Sequence, residues 1–422
     1  MFKKIAIKTG VLTTVFILAV IVSSYVTNRG NTDMSADMGG ATLPRISFTT
    51  EGYEVNSLPG YKSDMTLTSM RDTLTPVTNN QLDMNIAKYD NQIQKVYWQV
   101  YTLNGKKRIQ EGTIKDVQDT VTLNFKNTKI LKEERILKVT LYLDNQNIYF
   151  YTRIKNSADC NYKKSLDFAN DFHNAALENQ GDKVESYLET DSSEGSSTYQ
   201  EVTLASTQSQ VTWGSLAPQV SGNVYWEIKE NYTSLVLKYQ VKCTGDTDYA
   251  DRLYSVKEFF RIRTGEDAQQ YLLDYDRTMN QRFDGKTTAL NQKGVLVGIA
   301  PTDLEYETNT DGTIVAFIED NQLWHYDKKE DEMSLVFGFA DAENMDVRTL
   351  CDLHDIRLIS VDEKGNTTFT VVGYMNRGVH EGQVGVAVYY FDAEKNSVTE
   401  KAFVPSEDGY YLMKEDLGKF VY

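Results

Sequence analysis

Between residues 45 and 155 the sequence alternates apolar and polar residues through one short segment after another. The segments that carry this pattern are ISFTTEGYEV, VYWQVYTLNG, KRIQEGTI, TVTLNF and ILKVTLYLDNQNIYFYTRI. A period of two places successive side chains on opposite faces of a strand, so the pattern predicts β-strands with one buried face. The 27 Tyr and 17 Phe residues also favour strands, because aromatic side chains fit a pleated, half-buried surface. The chain is therefore predicted to be mainly β, with a smaller α+β part.

The first β-rich region is predicted to be a sandwich over residues 45–157. Asn-Gly at 104–105 and Asp-Asn at 144–145 supply turn chemistry between its strands. Its size and strand spacing resemble immunoglobulin-like and fibronectin-like modules, although it carries no Cys-Trp-Cys signature. Trp98 lies within a strand of this region, where packing is the simplest role and stacking on a carbohydrate is the alternative.

The amino terminus combines basic residues with an uncharged run over residues 10–26, GVLTTVFILAVIVSSYV. Counted from Ile5, the segment matches the ~20 residues that cross a bilayer. Lys3, Lys4 and Lys8 predict a cytoplasmic amino terminus by the positive-inside rule. The sequence thus predicts a cytoplasmic tail (1–9), a transmembrane signal anchor (10–27) and a flexible stalk (28–44), with the bulk of the chain outside the cell membrane. A cleaved signal peptide is the alternative, but no A-x-A site follows the run.

Charge and cysteine content exclude several classes of function. The net charge is −16, and the residues after the first thirty hold 40 bases against 60 acids. An acidic surface repels phosphate backbones, so nucleic acid is not an expected partner. The three cysteines are too scattered for a paired-cysteine metal site; Cys160 and Cys243 form one disulfide or, in the simpler interpretation, remain free thiols. We expect no metal and no cofactor.

Residues 158–288 are predicted to form an α+β unit. YKKSLDFANDFHNAALENQ has apolar residues at helical spacing, DKVESYLE predicts a second short helix, and four strand-like segments follow. This order resembles the nuclear-transport-factor-like cone domains, some of which are enzymes with a buried Asp/His pair. His173 lies on the helix flank, where an ordinary helix residue is the simpler interpretation than a catalytic base. The Ser/Thr-rich residues 190–209 predict a mobile surface loop.

Residues 289–422 contain two related patterns, LWHYD at 323–327 and VYYFD at 388–392, each followed by a charged turn and a returning strand. They resemble the inner hairpins of WD-repeat or Tol-like β-propeller blades, and about two blades fit. Asp327 and Asp392 are predicted to form turns by accepting backbone N–H bonds. Trp324 is expected to pack between blades. The last residues, 409–422, are predicted to be the first strand of another unit, which would make the propeller incomplete or the chain truncated.

No nucleophile, phosphate-binding or metal-ligand motif is present in the sequence, and its four histidines lie in separate segments. We therefore predict no catalytic site. The candidate interaction residues are Trp98, Trp324, His380 and Glu381; the last two belong to the loop GVHEGQVG. The chain looks like a single-pass surface protein of Gram-positive type that binds a protein or cell-envelope glycan. The alternatives are an enzyme acting on envelope polysaccharide and a tethered regulator of a membrane sensor or export machine.

Overall fold

The computed structural model describes residues 13–20, 34–126, 131–159, 161–189, 198–230, 234–245, 252–283, 285, 290–291, 294–301, 303–340 and 346–420. Helix α1 covers residues 13–20 within these ranges. None of the described helices combines the length and apolar character that a membrane crossing requires. The remainder of the predicted anchor, residues 10–12 and 21–27, lies outside the described ranges, as does Cys160.

The fold is mainly β, as predicted, and its elements follow in chain order. The first strands are β1 (Arg45–Thr50), β2 (Tyr53–Leu58), β3 (Leu74–Val77), β4 (Gln81–Ala87), β5 (Ile93–Thr102), β6 (Arg108–Ile114), β7 (Thr120–Asn124), β8 (Arg135–Leu143) and β9 (Asn147–Asn156). The middle elements are α2 (Tyr162–Leu177), α3 (Gly181–Val184), β10 (Glu201–Thr203), α4 (Gln208–Val211), β11 (Pro218–Glu230), β12 (Ser234–Cys243), β13 (Leu253–Thr264) and β14 (Gln270–Gln281). The last are β15 (Leu290–Asn291), β16 (Gly294–Val295), β17 (Tyr306–Thr308), β18 (Ile314–Glu319), β19 (Gln322–Asp327), β20 (Glu332–Gly338), β21 (His354–Val361), β22 (Thr367–Tyr374), β23 (Val384–Asp392), β24 (Ser397–Ser406) and α5 (Tyr410–Phe420).

One large sheet joins the first and middle parts of the chain. Its nine strands are ordered β10-β14-β13-β12-β11-β2-β1-β4-β7, and a five-stranded sheet, β3-β9-β8-β5-β6, holds the remaining early strands. The two halves of the nine-stranded sheet meet where β11 runs parallel to β2, with Trp226 opposite Val55. A single apolar core contains buried residues from both halves, from the five-stranded sheet and from α2. Residues 45–157 and 158–288 therefore share one sheet and one core.

Asn56 connects three strands at this junction. Its side chain is fully buried, and its backbone is in the left-handed region with φ 53°. Its amide nitrogen donates to the Leu74 carbonyl at 3.0 Å and to Thr75 Oγ1 at 2.8 Å. Its amide oxygen accepts the Ile228 N–H at 2.8 Å. Asn56 thus fixes β3 and β11 to β2.

The C-terminal part forms two four-stranded antiparallel sheets, β17-β18-β19-β20 and β21-β22-β23-β24, which we call the first and second meanders. They share an apolar core that includes Phe337 and Phe369. The predicted turn roles are confirmed: Asp327 Oδ1 accepts the Lys329 N–H at 2.8 Å, and Asp392 Oδ1 accepts the Lys395 N–H at 3.0 Å. Within the described ranges the two sheets do not close into a ring.

The predicted C-terminal strand is wrong, because Tyr410–Phe420 is helix α5. The segment YYLMKEDLGKF is rich in helix formers, and Tyr410 and Met413 have the three-residue spacing that places both on one helix face. Tyr410 is buried and donates to Asp355 Oδ2 at 2.9 Å. Met413 packs against a cluster that includes Tyr61 and Tyr374. Burial of this face against the second meander therefore favours the helix.

The prediction of a flexible stalk is wrong for residues 34–44, which we call the strap. Its Ser35 and Ala36 amides donate to carbonyls of β20, Leu335 and Val336, at 2.9 and 3.1 Å. At its other end the Thr42 and Leu43 amides donate to Glu381 Oε1 at 2.6 and 2.9 Å. Hydrogen bonds to backbone and carboxylate need no apolar periodicity, so the sequence pattern did not reveal them. The strap is fixed across both meanders.

The prediction of a mobile loop over residues 190–209 is also wrong in part. Residues 190–197 lie outside the described ranges, but β10 pairs with β14 at the edge of the large sheet. The next residues form α4, and Thr207 and Gln210 make a capping box at its amino terminus. Thr207 of this segment thus caps a helix.

Candidate functional site

A cavity of about 410 Å³ lies where the large sheet meets the other parts of the molecule. Its walls come from β11 to β14, from the loop before β3, from the turn between β18 and β19, and from residues 347–354 before and at the start of β21. Tyr411 of α5 also contributes. Ligand sites typically have this size and lie where several structural units meet.

The floor of the cavity is a polar face of the sheet. Two rows of side chains cross β11, β12, β13 and β14: Ser221, Gln240, Ser255 and Asn280 in one row, and Tyr225, Lys238, Lys257 and Thr278 in the other. Because side chains alternate along a strand, the intervening residues, such as Trp226 and Met279, face the apolar core. The alternation in the sequence therefore produces a buried face and a cavity floor.

Six ionisable side chains of opposite sign follow one another along the wall and form what we call the charge chain. In order, they are Asp72, Lys229, Glu227, Lys238, Asp352 and Lys257. Lys229 Nζ lies 2.6 Å from Glu227 Oε2, and Lys238 Nζ lies 2.9 Å from Glu227 Oε1. Lys238 Nζ also lies 2.8 Å from Asp352 Oδ1. Glu227, Lys238 and Asp352 each have an oppositely charged group on both sides, whereas Lys229 forms an ion pair with one carboxylate, that of Glu227.

The paired members have pKa values that keep them charged. Burial by itself would raise the pKa of Glu227, but the Lys229 and Lys238 ammonium groups outweigh it and hold the pKa well below the usual range. Burial would likewise lower the pKa of Lys238, but Glu227 and Asp352 raise it above its usual value. Such a buried network requires every charge to be compensated, because an unpaired buried charge is costly.

The two ends of the charge chain are less well compensated. Burial raises the pKa of Asp72 to about 6, and the charge of Lys229 offsets this only in part. Lys257 Nζ lies 4.0 Å from Asp352 Oδ2, and burial together with Lys238 and Lys229 lowers its pKa. Perturbed pKa values of this kind mark functional-site candidates when they occur in a cleft.

None of the four predicted interaction residues lines this cavity. Trp98 and Trp324 are each 4% exposed and lie in apolar cores, so they are packing residues. Glu381 is 3% exposed and holds the strap. His380 is partly buried; its Nε2 lies 2.9 Å from Glu400 Oε1 and its ring stacks on Phe403. The structure does not bring these four residues together as one surface.

His173, which was predicted to be an ordinary residue of the amphipathic helix, is buried. Its Nδ1 lies 3.0 Å from Glu258 Oε1, which also accepts a hydrogen bond from the Tyr239 hydroxyl. Arg277, from the neighbouring strand, donates to the carbonyls of Val211 and Gln210 at 2.8 and 2.7 Å. His173 and Glu258 are not among the residues that line the cavity. This network joins α2 and α4 to the core face of the sheet.

Sequence reasoning missed the cavity because its parts are distant along the chain. Asp72, Lys257 and Asp352 belong to three regions that were treated separately. The available signal was the polar residues of β11 to β14 that share one face of the sheet.

Comparison with known proteins identifies no family. The chain matches no protein-family model, and no curated protein matches it significantly. Within the described residues, no three His, Cys, Asp or Glu side chains are grouped so that they could hold a metal ion. The described thiols of Cys243 and Cys351 are free.

Proposed function

We propose that this chain is a membrane-tethered, extracytoplasmic binding protein whose ligand occupies the cavity. The observation that carries this proposal is a cavity of about 410 Å³ whose charge chain has incompletely compensated ends. The ion pairs between the inner members make the wall rigid. The two end members, Asp72 and Lys257, are available to a ligand. The absence of nucleophile motifs from the sequence supports binding rather than turnover.

The membrane tether is supported by the exposed apolar side chains of α1. Phe16 is 68% exposed and Val15 is 57% exposed. About half of each of the side chains of Ile17, Leu18 and Val20 is also exposed. Such a surface is costly in water and suits a lipid environment. Protease treatment of intact cells should digest the bulk of the chain, whereas full protection would contradict the external location.

We interpret the parts of the fold as follows. The five-stranded sheet and β1, β2, β4 and β7 enclose a sandwich-like core, the middle segment with α2 is cone-like, and the two meanders are propeller-like blades. The order of strands in each sheet supports this interpretation. In this interpretation, the cavity lies at the contact between the cone-like part and the blades.

The binding function can be tested by filling the cavity. Ser221→Trp places a large ring on the floor, and Ser63→Trp, at an exposed position outside the cavity, is the matched control. Ligand-observed NMR on the full chain in detergent, with a mixture of cell-wall peptide and glycan fragments, should show binding to the wild type and to Ser63→Trp. Ser221→Trp should lose it. Equal binding by all three proteins would refute the cavity as the site.

A second function, hydrolysis of an envelope polysaccharide, is favoured by one observation. Asp72 and Glu227 line the same cavity, and the pKa of Asp72 is raised while that of Glu227 is lowered. Pairs of carboxyl groups with opposite pKa shifts are typical of acid–base catalysis. Incubation with capsular glycans and cell-wall fragments distinguishes the two functions, since turnover abolished by Asp72→Asn would favour the enzyme. Capture of a membrane protein by in-cell crosslinking would instead favour a tethered regulator.

A further inference from the structure

The charge chain leaves a negative group at one end and a positive group at the other. Its inner members Glu227, Lys238 and Asp352 are held by contacts of 2.6 to 2.9 Å. The sequence of signs begins with a carboxylate and ends with an ammonium group. A ligand that completes the chain must therefore present opposite charges at its own two ends.

The negative end is Asp72. Its carboxylate has no hydrogen bond or ion pair with any residue in the described part of the chain. It is partly buried in the cavity wall, and Lys229, the cation that acts on it most strongly, is already paired with Glu227. An ammonium group of a ligand would supply the charge-assisted hydrogen bond that Asp72 lacks.

The positive end is Lys257, together with Gln240 in the neighbouring row. The 4.0 Å distance from Lys257 Nζ to Asp352 Oδ2 is too long for a hydrogen bond, and half of the lysine side chain is accessible. Gln240 is only 9% exposed, yet its Nε2 has no hydrogen-bond partner among the described residues. A buried donor without a partner is costly, so this amide is poised to bind an acceptor.

We propose that the cavity binds a zwitterion of the amino-acid or short-peptide class, with its ammonium group at Asp72 and its carboxylate at Lys257 and Gln240. This inference rests on the proposed binding function. A neutral glycan would leave both end charges uncompensated. A simple anion would satisfy Lys257 but would leave Asp72 unpaired.

The test uses peptides that differ only in their end charges. Isothermal titration of the full chain in detergent with glycine and with di-, tri- and tetraglycine finds the length that spans the site. The best of these peptides is then compared with its N-acetylated and C-amidated forms. Each cap should weaken binding about tenfold or more, because it removes one charge-assisted contact.

Two variants assign each end of the ligand. Asp72→Asn should bind the free and acetylated peptides equally, and Lys257→Met should bind the free and amidated peptides equally. Asp90→Asn and Lys106→Met, at exposed positions outside the cavity, should behave as the wild type does. The wild-type comparison of capped and free peptides decides the question even where a variant folds poorly.

The outcomes separate the ligand class from the binding function. Equal binding of capped and free peptides would overturn the zwitterion. The zwitterion would also be overturned if the chain bound no glycine peptide but still bound other fragments, and if Ser221→Trp abolished that binding. The proposed binding function would stand in that case. If nothing binds in a manner sensitive to Ser221→Trp, both proposals fail.

Discussion

Replacement of Asn56 by Ala should destabilise the protein more than replacement of an exposed Asn by Ala. Asn56 joins β2, β3 and β11 through three buried hydrogen bonds at the junction of the large sheet. The Ala side chain supplies neither the amide donor nor the acceptor. The variant therefore leaves the Leu74 carbonyl and the Ile228 N–H without these partners inside the core.

The expected loss can be estimated from two contributions. Each hydrogen bond contributes about 1 kcal/mol net, which gives ~3 kcal/mol for the three. Ala in the left-handed region, at φ 53°, costs about 1 kcal/mol more than Asn. The free energy of unfolding should fall by about 4 kcal/mol in total.

Asn79 offers a control that separates these contributions. It has the same φ of 53° but is exposed and lies in a turn. Asn79→Ala should therefore lose only the conformational part, about 1 kcal/mol. Urea unfolding of both variants, followed by tryptophan fluorescence, measures the difference. If the two variants unfold with free energies within about 1 kcal/mol of each other, the three hydrogen bonds do not hold the junction.

Three further predictions test other contacts. Burial would raise the pKa of Glu258, but His173 and its other partners hold it below the usual range, so this group stabilises the fold above its unfolded pKa of about 4.3. Glu258→Gln should lower Tm most at neutral pH, and the difference should shrink as pH falls below about 4; a difference independent of pH would argue against this. Gly112→Ala should cost about 1 to 3 kcal/mol in chemical denaturation, since its Cβ would lie 2.5 Å from the Trp98 ring, and an unchanged midpoint would contradict this. Glu381→Gln removes the carboxylate that holds the strap, so hydrogen exchange of the strap amides should quicken, and unchanged protection would show that β20 alone fixes it.

Local patterns predicted local structure well. The alternation along β11 to β14 gave strands, and the spacing in YKKSLDFANDFHNAAL gave α2. Asp327 and Asp392 were predicted as turn residues because a short carboxylate can accept backbone N–H bonds nearby in sequence. Each of these features depends on residues within a few positions of one another.

Features that depend on distant partners were missed or assigned wrongly. The strap resembles a linker in composition, and the groups that order it, the β20 carbonyls and the Glu381 carboxylate, lie about three hundred residues away or more. The final helix was taken for a strand because its burial depends on the second meander. The cavity requires residues 347–354 to cover the polar face of the sheet, which no pattern in either segment reveals.

The strap also sets how far the meanders can lie from the amino-terminal apolar run. Roughly nine peptide units join Val26, where the run ends, to Ser35, which is bonded to β20. An extended chain gains at most about 3.6 Å per residue, so these two points are within about 32 Å of each other. If the run lies in a bilayer, the last sheets of the chain are therefore held close to the membrane surface. Any pull on the anchor would then reach the edge of β20 before it reached β1, the first strand in the sequence.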